Sequence, residues 1–495
     1  MREIIRPQIG LGELPIGEIK LDPKSRDDIP KLLAGLQHIY VTPALRKEVF
    51  AILEEVIPHR ADGQKANAKL GRPGMEQWKI LVLGVLRLGL DADYDRLQEL
   101  ANQHQTIRQM LGHGDWADTT PSELQTLKDN VRLFTPELLR RINDVVVRAG
   151  HVLVQEKPEA SLRGRCDSFV VETDVHFPTD LNLLYDAIRK TIQTCAPLAE
   201  EHGLGGWRQS AYNLRQFKKQ YRKIQQLKHS TSQDEAKRAA KQAAIQDAHA
   251  AYLEQAEAYL ERARQTRAEL LNVQGPLAVA ALDGYLAHAE RQIDQIRRRV
   301  LEGEVIPHAE KVFSIFQPHT EWISKGKAGV PVELGLRVCI LEDQHRFILH
   351  TLVMEKQTDD QVAVTMVEQT QPRFPSLRVV SLDKGFHSPA NRRELEERLD
   401  LVAMPKKGRR SAADRERESS PEFVHARQKH SAVESAINGL EHFGLDLCPD
   451  HGIVGFKRYV ARAVLARNLH RLGVVVREKN ARAQARVPKP RAKAA

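Results

Sequence analysis

The chain has 495 residues, of which 28% are charged and 5% aromatic, and carries a formal net charge of +10. That length exceeds one ordinary core and implies about two to four domains, and the positive balance favours a polyanionic partner. The scattered Cys166, Cys195, Cys339 and Cys448 show no CxxC or Cys/His spacing, which excludes a zinc or disulfide framework and suits reduced thiols.

Met1–Gly10 lacks the apolar core of a signal peptide. The longest apolar run, Ile80–Leu90, is too short for a membrane span and contains Arg87. The expectation is a soluble cytoplasmic protein with no membrane partner. Residues 1–41, with Pro7, Pro15, Pro23 and Pro30, read as an arm. From Thr42-Pro43 the pattern turns helical, with Leu45, Val49, Ile52, Leu53 and Val56 at three- and four-residue steps. A basic hinge, Gly71-Arg72-Pro73-Gly74, precedes helices over 76–90, 94–101 and 104–111, an arrangement that suits a helix-turn-helix-like unit. Residues 42–155 are therefore expected to form an all-helical domain.

Cys166–Val171 reads as a strand with Asp167 inside it, and a helix starts near Leu181. Residues 187–304 are helical, with stripes at Leu214, Phe217, Tyr221, Ile224 and at Leu282, Leu286, Ala289, Ile293, Ile296, Val300. That spacing predicts a helical hairpin broken at Gly275-Pro276, with charges such as Arg297, Arg298 and Arg299 on solvated faces. Strands follow at 332–340 and 347–353, then a helix over 360–370. Leu377–Leu382 is a strand ending in Asp383, with Lys384-Gly385 as a turn and Ser388-Pro389 capping the next helix. A short strand at 401–404, a charged loop at 406–420, a helical region over 423–472 and a basic, disordered tail over 476–495 complete the chain.

Three strands, then helix, strand, helix, strand, helix is the element order of a ribonuclease-H-like fold, a mixed sheet covered by helices. The expected class is α/β. The catalytic domain spans 156–186 and 305–475, and the helical insertion 187–304 interrupts it. In that fold Asp167 on the first strand, Asp383 after the fourth and Glu434 on the helix after the fifth fall together. Clustered carboxylates repel one another unless cations sit between them. Hard oxygen ligands without Cys or His favour Mg²⁺ or Mn²⁺, and a pair of such ions supports in-line displacement at phosphorus.

Four stretches carry a family resemblance: 165–189 (RCDSFVVETDVHFPTDLNLLYDAIR), 312–338, 381–395 (SLDKGFHSPANRREL) and 428–446 (QKHSAVESAINGLEHFGLD). Together they resemble the DDE transposases of bacterial insertion sequences, and within these the group gathered under ISNCY. Residues 71–113 resemble the DNA-binding domain of such enzymes. The resemblance implies binding of terminal inverted repeats, metal-dependent cleavage of the ends and joining of the 3′-hydroxyls to target DNA. It also implies a homodimer or higher assembly on DNA, associated with the nucleoid. It assigns Asp383 in the DKG turn, Glu434 in AVES, and Asp167 as first acid, with Asp174 (or Asp180) as the alternative. Related enzymes with a Tyr/Arg/Glu/Lys signature place Arg four residues before the catalytic Glu and Lys seven after it; this chain has His430 and Glu441 there, so that signature is absent. Arg72, Lys384, Arg427, Lys429, His430 and the group Trp322, Lys325, Lys327 are candidate DNA contacts. His176 is a candidate for orienting the site, whereas His308 and Glu310 are too isolated to ligate a metal. A nuclease without strand transfer and a catalytically silent DNA-binding repressor remain the alternatives.

Overall fold

The computed structural model describes residues 3–6, 8–10, 12–56, 74–114, 118–154, 161–228, 234–274, 276–324 and 331–486. The chain divides into two compact units, Met1–Thr173 with Gly335–Ala495, and Asp174–Leu334. Among the described residues no helix is long and apolar enough to cross a membrane.

The first unit opens with helices α1 (Ile29–Val41), α2 (Pro43–Glu54), α3 (Gln77–Gly89), α4 (Tyr94–Gln103), α5 (Gln105–Met110), α6 (Leu124–Val131) and α7 (Pro136–Val154), followed by strand β1 (Leu162–Thr173). The second unit contains α8 (Asp180–Glu201), α9 (Ser210–Lys228), α10 (Glu235–Gln274), α11 (Pro276–Ile296) and β2 (Glu321–Ser324). The first unit then resumes along β3 (Val332–Asp343), β4 (Ile348–Met354), α12 (Asp359–Thr370), β5 (Leu377–Leu382), α13 (Pro389–Arg398) and β6 (Leu401–Ala403). It ends with α14 (Ala412–Ser419), α15 (Pro421–His430), α16 (Ala432–Leu440), β7 (Leu447–Cys448) and α17 (Gly452–Arg486).

In the sheet of the first unit the order runs β4, β3, β1, β5, β6, with β7 beside the end of β1. β3 is antiparallel to β1 and β4, whereas β5 is parallel to β1 and β6 to β5. Hairpin-linked strands followed by helix-linked parallel ones account for this mixture, and the arrangement is compatible with a ribonuclease-H-like transposase domain.

The helices before β1 do not own a separate core. Leu32, Trp78, Leu86 and Val146 belong to the same buried cluster as Val171, Ile340 and Leu382 of the sheet. Helix α17 is the hub, with α1, α3 and α7 packed on it. Its buried Asn468 donates to Asn143 Oδ1 of α7 at 2.7 Å and to the Ile348 carbonyl of β4 at 2.9 Å, and accepts from the Ile348 N–H at 3.0 Å. Such a satisfied buried network specifies one arrangement of the three elements. Likewise His151 of α7 lies 2.5 Å from the buried Asp343 carboxylate, which also accepts the N–H groups of His345 and Phe347 in the β3–β4 turn.

Several expectations need correction. Residues 1–41 are not simply an arm: α1 buries Leu32, Leu33, Leu36 and Ile39, and Pro30 lies in its first turn, where a missing N–H costs little. Helix α3 is buried along nearly its whole length, and its Arg87 pairs with Asp450 at 2.9 Å. The charged loop at 406–420 contains α14, held by a capping box between Ser411 and Asp414. The tail is helical as far as Arg486, and residues 487–495 lie outside the described residues.

The second unit begins earlier and ends later than the expected 187–304. Leu181, Leu183 and Leu184 of α8 bury with the helices that follow, in a core with Phe217, Ile224, Tyr252, Leu282 and Ile293. It is therefore a bundle of α8, α9, α10 and α11 rather than a hairpin. Phe217 stacks on Tyr252 with ring centroids 4.5 Å apart.

Candidate active site

Val379, Val380 and Leu382 favour a strand by their branching and burial, and β5 ends where the polar Asp383 begins. Lys384–Phe386 forms a single 3₁₀ turn whose Phe386 is fully buried, anchoring the turn from beneath. Ser388 caps α13 by accepting the Asn391 N–H at 3.1 Å, and Pro389 occupies the first helical turn. The Asn391 side-chain amide returns to the Phe386 carbonyl at 3.0 Å. The turn carrying Asp383 is thus braced at both ends.

Cys166 of β1 pairs with Leu382 of β5 in parallel register, which sets Asp167 beside Asp383. Side chains two apart share a sheet face, so Arg163, Arg165 and Asp167 line one face of β1, and Val379, Ser381 and Asp383 the same face of β5. Helices α15 and α16 pack on these strands, and α16 carries Glu434 in its first turn, exposed. Burial is the main influence raising the Asp167 carboxyl, to about 6. The Ser168 N–H opposes it, while Asp383, Asp359 and Glu434 each add repulsion. The three acids singled out from the sequence therefore share one electrostatic neighbourhood.

Asp359 is a fourth member that the sequence reading missed. It stands in the first turn of α12 behind the capping residue Thr358 and accepts a 2.6 Å hydrogen bond from the Ser168 hydroxyl. A side chain at Gly385 would bring its Cβ to 2.9 Å from Asp359 Oδ2, so the glycine of the DKG turn leaves room for this carboxylate. In sequence, Thr358-Asp359-Asp360 is indistinguishable from an ordinary acidic first turn.

Cations surround the group. Arg427 Nη2 of α15 lies 3.1 Å from Asp383 Oδ1, and its Nη1 is buried without a partner. Lys384 and Lys429 are exposed. His430 turns inward, buried, with Nδ1 3.1 Å from Ser381 Oγ. Burial, reinforced by Arg427, lowers its pKa to about 4, so it is neutral near pH 7. Its place behind Asp383 is that of a supporting residue rather than of a surface contact. On the same sheet face a cleft of about 1060 Å³ is lined by Arg163, Arg165, Arg346, His425 and Lys429 beside Ser381 and Ala432.

The remaining candidates lie elsewhere. Asp174, exposed beyond the end of β1, is the first residue of the second unit. In that unit Asp180 pairs with Arg299 at 2.7 Å, and His176 lies 3.5 Å from Asp186. Trp322 packs against Phe177 and Phe313. His308 packs on Phe313, and Glu310 pairs with Arg298 at 2.8 Å. Arg72, Lys325 and Lys327 lie outside the described residues.

Carboxylate donors without Cys or His among them fit a hard divalent cation in chemical character. Among the described residues, however, no three acidic, His or Cys groups already stand in ligating positions around one point. The Arg427 guanidinium is the cation that Asp383 contacts.

No curated protein and no solved structure matches the sequence. Residues 295–469, a span that begins after Asp167 and includes Asp359, Asp383 and Glu434, match the family model described as a transposase DDE domain, which supports a DDE transposase.

Proposed function

We propose that the protein is a DNA transposase that binds the terminal inverted repeats of an insertion sequence, cleaves its ends by hydrolysis and joins the 3′-hydroxyls to target DNA. The observation that carries this reading is that Asp167 and Asp383 stand one residue beyond paired positions on adjacent parallel strands, with Glu434 on a helix packed against the first of them. The matched transposase DDE domain supports it from an independent direction.

In this reading Asp167, Asp383 and Glu434 would hold two Mg²⁺ or Mn²⁺ ions. Bound there, such ions supply Lewis acidity toward phosphorus and lower the pKa of water or a 3′-hydroxyl. The chain's own residues do the rest. Lys384 and Lys429 meet phosphate oxygens at the edge of the site. Arg427 holds Asp383 in place before DNA arrives, and Phe386 and Asn391 fix the turn. Ser168 orients Asp359, which adds negative potential beside Asp167. Joining requires two ends held together, so a homodimer or larger assembly is expected on DNA, in the bacterial cytoplasm at the nucleoid.

The test is cleavage of a duplex carrying the element's terminal repeat with Mg²⁺ or Mn²⁺, comparing wild type with Asp383→Asn and Glu434→Gln. Metal-dependent cleavage that both substitutions abolish while DNA binding persists is the expected result. Equal cleavage by all three proteins would reject this active site. A pre-cleaved 3′-hydroxyl end with target DNA then separates a transposase from a nuclease. The pairing of Asp383 with Arg427 favours one second reading, a DNA-binding repressor, and binding with no cleavage under any metal would select it.

A further inference from the structure

Helix α9 of the second unit has a face that nothing in its own fold uses. Arg215, Lys218, Lys219, Arg222 and Lys223 are all exposed. Their spacing of three, four, seven and eight residues puts them on one side of the helix, over a length of about 12 Å. The opposite side carries Phe217 and Ile224, both fully buried against the other helices. Between His202 and Gln233 the sequence has seven Lys and Arg and no acid.

The contrast with the neighbouring helices is informative. Arg264, Arg267, Arg297, Arg298 and Arg299 each pair with an acid, among them Glu290, Asp283, Glu257, Asp294 and Asp180. The conspicuous Arg297–Arg299 run is thus neutralised within the unit. None of the five cations on α9 lies within ion-pairing distance of an acid among the described residues. A row of like charges without acids is unfavourable in the free protein. It becomes favourable when it meets regularly spaced negative charge. Tyr212, half-exposed one turn before Arg215, adds a flat ring at the end of the row.

We infer that this face of α9 binds the sugar–phosphate backbone of duplex DNA, independently of base sequence. Each strand of duplex DNA offers about one phosphate per 3.4 Å of axis, so a row of this length can engage about three or four phosphates. The inference rests on the DNA-processing reading and extends it by giving the second unit a ligand: it holds DNA while the acids of the first unit act on it.

The experiment measures binding of the full-length protein to duplex DNA across a salt series, without divalent metal so that no cleavage occurs. Wild type is compared with a variant carrying Lys218→Gln, Lys219→Gln, Arg222→Gln and Lys223→Gln. A second variant, Lys218→Arg with Lys219→Arg and Lys223→Arg, keeps the charge. Circular dichroism and the unfolding midpoint check that the exposed substitutions leave the fold intact. Loss of four phosphate contacts lowers the slope of log K against log salt by about 3.6 in magnitude. The loss should be equal on terminal-repeat and unrelated duplexes, and the charge-keeping variant should behave as wild type. An unchanged slope in the glutamine variant, or a loss confined to one sequence, overturns the inference and leaves the active-site reading standing. Failure of wild type to bind any duplex overturns both.

Discussion

Asp167 and Asp383 stand side by side on two parallel strands, one residue beyond the paired Cys166 and Leu382. Neither side chain forms an ion pair with the other strand, and the only described cation against Asp383 is Arg427 at 3.1 Å. Asp167, largely buried and beside a second carboxylate, is therefore a cost to the folded state while it is charged.

That cost is measurable through pH. Asp167 has its carboxyl raised from 3.8 to about 6 in the folded chain, so its charge penalises folding above pH 6. The penalty fades as pH falls through 6 and is gone below about 4, where the acid is protonated in both states. Asp167→Asn should therefore raise stability at pH 7 by roughly 1–3 kcal/mol and change little at pH 4. Urea unfolding at both pH values checks this, and an Asn variant no more stable than wild type at pH 7 counts against it. Glu342, raised to about 7 mainly by burial, titrates in an overlapping window but is common to both proteins and cancels.

Divalent cation should reverse the same penalty. Mn²⁺ at about a hundred times its dissociation constant should stabilise wild type by about 2.7 kcal/mol, and Asp383→Asn should lose most of this. Arg427→Gln removes the guanidinium that competes for Asp383, so it should bind Mn²⁺ more tightly, by about three- to tenfold. Titration followed by paramagnetic resonance reads both, and an Arg427→Gln affinity equal to wild type would show that the pair exerts no competition.

Asp359 is held by one hydroxyl and by the space above Gly385. Ser168→Ala removes the 2.6 Å hydrogen bond and should cost about 1–3 kcal/mol of stability. Gly385→Ala places a methyl 2.9 Å from Asp359 Oδ2 and should slow end cleavage by about 10–100-fold while leaving DNA binding intact. Full cleavage by Gly385→Ala would remove Asp359 from the account of the site.

The packing of α1 on α17 gives a test away from the chemistry. A Cβ at Gly35 would meet the Leu469 carbonyl oxygen at 2.2 Å, and one at Gly473 would meet that of Lys31 at 1.8 Å. Backbone cannot swing aside as a side chain can, so either Gly→Ala change should destabilise by about 1–3 kcal/mol or more. Limited proteolysis should then cut first in residues 20–41. Unchanged protease resistance and urea midpoints would mean that α1 is dispensable.

The candidate acids were legible because strand-borne acids are conspicuous: an acid inside Cys166–Val171 and another at the end of Val379–Leu382 interrupt short apolar runs. The Ser388-Pro389 start of α13 was equally plain. Asp359 was hidden because first-turn acids are common and only the fold brings Ser168 to it. Helix α1 was hidden by its prolines, although Leu32, Leu33, Leu36 and Ile39 already carried the helical period. The shared core of the early helices with the sheet depends on Asn143, Asn468 and Ile348, far apart in sequence, and no local pattern announces such a meeting. The helical character of 187–304 was legible, but not the four-helix bundle or its extent, because the leucines of 181–184 suit either neighbour.

Glu172 faces Gly335 at the end of the β1–β3 ladder, so the two ends of the intervening segment are adjacent there. Residues 174–334 are in effect a cassette spliced into a hairpin. A tight two-residue turn could close the same gap. Nothing in the register of β1 and β5 specifies how long the detour must be, which leaves the cassette open to exchange, shortening or regrafting while Asp167 and Asp383 keep their places.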